Sequence, residues 1–236
     1  MLILSSKPTI MKKNISTITL LFAITSLFIV LCLPFHSCEP VDEDIPDTFN
    51  TDTTIIGVYK PNIYIYPEKT IFLKVNISFP KGGSIFKSIP IYNNGWNVQV
   101  DPSGRIDNAY DYLFYESYQP DEWQYKTGWS IERDSLQSFF QYNMSVYGFS
   151  INEIKDFIDY WIPRLNTYNY FLIYPQEKKL IENLIQIKFS HTPLNIQRLF
   201  YAIKGTNNFV KIDAHKIENK FQRDGFHVTE WGVILK

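Results

Sequence analysis

Four carboxylates set the chemistry this chain can attempt. Glu116, Asp121, Glu122 and Glu230 each stand beside aromatic side chains, in Tyr115-Glu116, Asp121-Glu122-Trp123 and Glu230-Trp231. Two carboxyl groups about 5 to 9 Å apart act as acid and base, or acid and nucleophile, on a glycosidic bond. A ring packed on one of them raises its pKa by desolvation. Glu116, Glu122 and Glu230 are therefore the catalytic candidates for a carboxylate-dependent glycan hydrolase. The same residues have a plainer use, as surface charges and as a strand-end glutamate that accepts from backbone N–H groups.

A second chemistry needs no turnover. Tyr118, Trp123 and Tyr125 sit in one stretch with Gln119, Asp121, Glu122 and Gln124. Flat rings stack on sugar faces, and amides and carboxylates bond hydroxyls. Tyr118, Trp123 and Tyr125 are thus the ligand-binding candidates. The same rings can anchor a protein partner, because Trp and Tyr carry much interface energy, or fold back to cover core. Binding fits the residues better than catalysis does. Other machinery is missing: the sequence has no HExxH, GxSxG, phosphate loop or dinucleotide fingerprint. His191, His215 and His227 stand at no ligand spacing. No metal site and no cofactor is expected. With no dominant basic patch, nucleic acid is not an expected partner.

The elements that must carry these residues begin after an unusual N-terminus. Residues 1–37 hold no acidic residue; Met11-Lys12-Lys13 precedes an apolar run from about Ile18 to Leu33, and then comes Leu33-Pro34-Phe35-His36-Ser37-Cys38. A positive segment, an apolar segment, a small residue and a cysteine read as an export signal. Ser37 before Cys38 resembles the lipobox of bacterial lipoproteins, which implies cleavage before Cys38 and lipidation there. Phe35 departs from the usual Leu. Residues 1–10 are expected to be an upstream extension, with Met11 the start. An uncleaved anchor is one alternative, since the run approaches the roughly 17 apolar residues a bilayer span needs, and soluble secretion is the other. The stretch after Cys38, Glu39-Pro40-Val41-Asp42-Glu43-Asp44, is too polar and Pro-rich to pack. It reads as an acidic tether over 38–54 and resembles the signal that sends Bacteroidetes lipoproteins to the cell surface. The expected location is the bacterial outer membrane, with the membrane reached through lipidated Cys38.

Both cysteines, Cys32 and Cys38, lie in that region, so the folded part has no disulfide or thiol chemistry. Cleavage would remove three of the 23 basic side chains and none of the 24 acidic ones. Beyond the tether, Ile71 to Phe79 alternates apolar and polar residues over nine positions, a strand buried on one face. Asn93-Asn94-Gly95 is turn chemistry feeding a strand in which Trp96, Val98 and Val100 face the core; Asn93 or Asn94 is the expected partner of the Trp96 indole N–H. Tyr112 to Glu116 and Gly128 to Glu132 read as strands, with the Ser117–Tyr125 stretch as a loop between them. Helices are expected from Ser135 to Tyr147 and from Ser150 on, where Ser150 and Glu153 fit a capping box and Phe149 and Ile154 a hydrophobic staple. Pro163 ends the second. Strands follow at Tyr170–Tyr174, Leu184–Phe189, Arg198–Ile203 and Phe226–Ile234, with a short helix at Ile217–Arg223. His227 is expected to face outward. The sum is α+β: a strand-rich 55–133, as antiparallel sandwich or open barrel, packed with a mixed helix/strand 134–236 in one continuous unit.

Five segments occur here in order: Lys60-Pro61-Asn62-Ile63-Tyr64-Ile65-Tyr66-Pro67, Tyr92-Asn93-Asn94-Gly95-Trp96, Tyr112-Leu113-Phe114-Tyr115-Glu116, Asp156 to Pro163, and Gly225-Phe226-His227-Val228-Thr229-Glu230-Trp231-Gly232. Together they resemble an uncharacterised bacterial surface and secreted family of the KPxIYLYP type. There LFWE stands where Leu113 to Glu116 stand, and the last segment runs GFxVVEWGG; this chain departs at Tyr115 and Val233. The resemblance spans residues 60–232 and brings no activity with it. The expectation is an envelope-anchored binding or assembly module, with a glycan or an envelope protein as partner.

Overall fold

The computed structural model describes residues 54–218 and 221–236. The export segment, the tether up to residue 53 and Cys38 lie outside the described residues. The described elements run β1 (Ile55–Tyr66), β2 (Ile71–Ser78), β3 (Ser84–Ile89), β4 (Trp96–Val100), β5 (Leu113–Pro120), β6 (Thr127–Glu132), α1 (Leu136–Val146), α2 (Ile151–Trp161), β7 (Tyr170–Glu177), α3 (Lys178–Leu184), β8 (Gln186–Phe189), β9 (Asn195–Thr206), β10 (Asp213–Ala214) and β11 (His227–Leu235). The fold is α+β. An eight-stranded open sheet has the order β10-β6-β7-β9-β11-β1-β5-β3, and a three-stranded sheet the order β4-β2-β8. Both sheets combine strands from before and after residue 134, and in the large sheet the two sets interleave.

Strand alternation divides the core into two layers. On one face of the large sheet Ile63, Ile65, Phe200, Ala202, Val228 and Ile234 meet the small sheet and α3. On the other, Tyr64, Leu199, Tyr201, Trp231 and Val233 meet α1 and α2. The small sheet matches its sequence pattern: Trp96, Val98 and Val100 are buried and Asn97 is exposed. The Trp96 indole N–H donates to the Pro90 carbonyl at 2.8 Å, not to Asn93 or Asn94. Gly95 takes φ 132°, and a Cβ there would meet the Asn76 side chain at 2.6 Å.

The expected capping box starts α2: Ser150 accepts from the Glu153 N–H and the Glu153 carboxylate accepts from the Ser150 N–H. Phe149 and Ile154 are both buried. Pro163 lies in the 3-10 turn Ile162–Arg164 that closes the helix. Three element assignments fail. The strand before Pro120 is longer than its apolar core suggested, so Ser117 to Pro120 continue β5 instead of starting a loop. Lys178–Leu184 forms α3, leaving only Gln186–Phe189 as strand. No helix forms among the described residues of 217–223. Nor is the large sheet wholly antiparallel: β9 and β11 run parallel over nine residue pairs. The chain between Thr206 and His227 is long enough for the crossover that a parallel pair requires.

Candidate ligand cleft around Lys60

Pro61 has no N–H to give a central strand, and β1 lies between β11 and β5. The strand absorbs the problem as a bulge. Tyr59 and Asn62 pair with Val233 and Trp231 on β11, so three steps of β1 face two of its neighbour; against β5 the register shifts across the same residues. The extra residue resets the period-two alternation. Val58 and Ile63, five apart, therefore share one core layer. Lys60 takes φ 57°, in the left-handed region that costs a side-chain-bearing residue about 1–3 kcal/mol. Its N–H leaves the sheet ladder and donates to Glu116 Oε1 at 3.3 Å.

The bulge sets the Lys60 ammonium against aromatic rings. Its Nζ is 4.4 Å from the Phe114 centroid, 4.6 Å from Tyr112 and 5.4 Å from Tyr160. It donates to Asn62 Oδ1 at 3.1 Å and to the Tyr112 hydroxyl oxygen at 3.2 Å. Asn62 Nδ2 donates to the Tyr64 hydroxyl oxygen at 3.3 Å, and that hydroxyl donates to Asp156 Oδ2 at 2.8 Å. The ammonium thus reaches a carboxylate only through two intermediaries, and Lys60 forms no salt bridge among the described residues. Burial lowers the Lys60 pKa to about 8; the charges of Asp156 and Glu116 oppose the shift, and those of Lys87 and Arg164 add to it. Burial raises the Asp156 pKa, aided by Asp111 and opposed by the Tyr64 hydrogen bond, Lys60 and Lys155. Burial also raises Tyr112, with Asp156 acting in the same direction.

The cleft beside Lys60 has a volume of about 320 Å³, lined also by Lys87, Ile89, Ala109, Tyr110, Asp111, Tyr112, Phe114 and Tyr160. Lys87 Nζ is 5.6 Å from the Phe114 centroid and 3.6 Å from Glu116 Oε2. Asp111 is paired with Arg105 at 2.5 Å. Tyr160 of α2 lines the cleft, and Asp156, one turn earlier on the same helix face, meets the Tyr64 hydroxyl behind Lys60. What fixes α2 there is Glu153. Beyond the Ser150 N–H, its fully buried carboxylate accepts from Arg223 through both terminal nitrogens (3.0 and 2.9 Å), from Tyr66 (2.8 Å) and from Thr229 (2.8 Å). Burial alone would raise its pKa, but the Arg223 bonds and charge, the Ser150 N–H and the Tyr66 hydroxyl outweigh it, and the net shift is downward. The helix is thereby tied to β1 and β11.

The candidates chosen from sequence scatter. Glu116, 6% exposed, borders the cleft, where it serves the Lys60 N–H and Lys87. Glu230 is fully buried: its carboxylate takes Arg198 Nε at 2.5 Å and the Tyr115 hydroxyl at 2.8 Å. Glu122 is exposed and paired with Lys81; Asp121 accepts from Tyr125 at 2.5 Å and pairs with Lys236. The three rings do not share a platform. Tyr118 stacks on Phe86 at 4.4 Å, Trp123 is 5% exposed within the core against Phe200, and Tyr125 meets the edge of Tyr174. His227 is half-buried, stacked on Tyr66 at 5.0 Å with Nδ1 2.9 Å from the Gly225 carbonyl, so the outward position expected of it fails. Among the described residues no three of His, Cys, Asp and Glu cluster as metal ligands.

Lys60, Tyr64, Tyr112, Asp156 and Tyr160 were not selected as site residues, although all five lie in segments that carried the resemblance. Four of those five segments meet here: β1 from the bulge onward, β5, α2 and β11, whose Trp231 pairs with Asn62. Their signal was the Lys-Pro pair heading an otherwise alternating strand. No family model, no curated protein and no solved structure matches the chain.

Proposed function

We propose that this chain is an envelope-anchored lipoprotein of the KPxIYLYP type, tethered through lipidated Cys38, and a binding module that holds a glycan in the Lys60 cleft. One observation carries the reading. A strained bulge holds a half-buried ammonium over three ring faces, with no salt bridge among the described residues, at the wall of a cleft of about 320 Å³. Small-molecule sites span roughly 300–1,000 Å³, and this one is the size of a single sugar ring. Strain of this kind collects at ligand sites because the surrounding structure must over-determine it. The rings offer flat apolar faces with polar edges, and the Lys60 ammonium and Tyr112 hydroxyl supply hydrogen bonds to a sugar. A compact pocket favours a sugar over a protein surface. The carboxylates support binding over hydrolysis: Glu116 and Glu230 are committed to N–H and guanidinium partners, and Glu122 stands elsewhere with Lys81.

Polysaccharide pull-down with purified protein, over a panel of neutral and acidic polymers, tests this. Wild type should be retained by at least one polymer. Tyr112→Ala and Lys60→Gln should weaken retention about tenfold or more, equivalent to about 1.4 kcal/mol, while both variants keep a cooperative thermal transition. Retention by no polymer overturns the reading. In cells, Cys38→Ala should move the protein out of the membrane fraction; its remaining there overturns the anchor.

A further inference from the structure

We propose that the group anchoring the ligand is a carboxylate, so that the cleft takes an acidic sugar of the uronic acid type and Lys60 is its principal contact. The proposal rests on the cleft being the glycan site. An ammonium has three N–H donors; Asn62 and Tyr112 take two of Lys60's, and the third is unassigned. Rings under the ammonium hold its charge without supplying an anion. A second ammonium, Lys87, lies over the same Phe114 ring and is 58% exposed along its side chain. Two cations above one ring suit a ligand that pairs a flat apolar face with a negative group.

The negative group is singly charged. Asp111 lines the cleft, and Asp156 stands behind Lys60 at the far end of the Asn62–Tyr64 relay. Those carboxylates tolerate one ligand charge set against Lys60 and Lys87 but repel a phosphate dianion. The charged groups around Lys60 come from every element that packs there: Glu116 of β5, Lys87 of β3, Asp156 of α2 and Arg164 after it. With its pKa at about 8, Lys60 is a cation at neutral pH and loses its charge well below the range of an ordinary lysine. Capture of a carboxylate should fail in step.

Calorimetric titration with a galacturonate trisaccharide and with its neutral galactose counterpart tests this from pH 6 to 10. The acidic sugar should bind at least about tenfold more tightly at pH 7. Its affinity should hold to about pH 7.5 and then fall, reaching about thirtyfold weaker at pH 9.5 by proton linkage to a group titrating near 8. Lys60→Arg, whose guanidinium stays charged throughout, should keep binding within a few-fold and flatten the pH profile. A purely structural role for Lys60 would not give that separation. Equal binding of both sugars overturns the carboxylate and leaves the glycan site standing; binding of neither overturns both. A wild-type profile flat to pH 10 overturns Lys60 as the anchor. Inorganic phosphate displacing the acidic sugar at matched concentration overturns the choice of carboxylate.

Discussion

Glu230 was one of three catalytic candidates, and its surroundings give it a different task whose size can be worked out. Its side chain is fully buried, and that of its partner Arg198 is 2% exposed. Arg198 spends Nε on Glu230 at 2.5 Å and Nη1 on the Ile185 carbonyl at 2.6 Å, while Nη2 has no hydrogen-bond partner among the described residues. The Tyr115 hydroxyl completes Glu230, and burial, with the carboxylate's charge beside it, holds the Tyr115 pKa well above the usual value. Removing one member of such a pair leaves an uncompensated charge in the core, at a cost of about 3–5 kcal/mol. Arg198→Met should therefore lower the melting temperature by about 6–20 °C, at roughly 2–4 °C per kcal/mol for a domain of this size. Glu230→Leu should do the same. The double variant removes both charges and leaves only the Tyr115 hydroxyl and the Ile185 carbonyl to be satisfied, a cost of about 1–3 kcal/mol each at most. It should cost less than the two single variants together, with a coupling energy of about 2 kcal/mol or more. Urea unfolding followed by tryptophan fluorescence measures all three. Single substitutions costing under about 1 kcal/mol, or a double variant that costs the sum of the singles, would refute a closed structural pair and return Glu230 to the list of available acids.

Trp123→Ala should cost about 3–5 kcal/mol, because the ring is 5% exposed in the core; an unchanged melting curve would mean the ring is not packed there. Glu153 has a folded-state pKa below its ordinary 4.5, so it adds stability that is fully present above 4.5 and is lost as pH falls through the lower folded value. Glu153→Gln should flatten the acid limb of the stability–pH curve, and an unaltered limb in equilibrium unfolding would contradict the account. Lys60 shifts in the same direction, but there the charged form is the one that burial disfavours. Its folded pKa is depressed from 10.5 to about 8, so wild type should gain stability relative to Lys60→Gln as pH rises through 8, and a constant difference between pH 7 and 9.5 would count against the buried ammonium.

Legibility in the sequence followed how local each cause was. Ser150 and Glu153 act across three residues, so the start of α2 could be read directly, as could Trp96, Val98 and Val100, whose alternation needs only one buried face. Glu153 does more than cap, however. Its partners Tyr66, Arg223 and Thr229 lie at least seventy residues away, and no local pattern pairs them with it. Arg198 and Glu230, 32 residues apart on neighbouring strands, were hidden from each other for the same reason. The Tyr118–Tyr125 stretch misled because rings and carboxylates look alike whether they face a ligand or fill a core; here β5 runs on to Pro120 and turns Trp123 inward. Lys60-Pro61 was in plain view in its segment. Its meaning, a bulge that changes which face the strand's side chains take, emerges only when β5 and β11 are placed on either side.

The cleft account stands or falls on the charge state of one amine. NMR of protein carrying lysine labelled with carbon-13 at the ε position follows each side chain through its own titration. The account predicts one resonance, absent from Lys60→Arg, with a midpoint near pH 8 that moves upward when galacturonate trisaccharide is added. A Lys60 midpoint near its ordinary 10.5, unmoved by the acidic sugar, would contradict it.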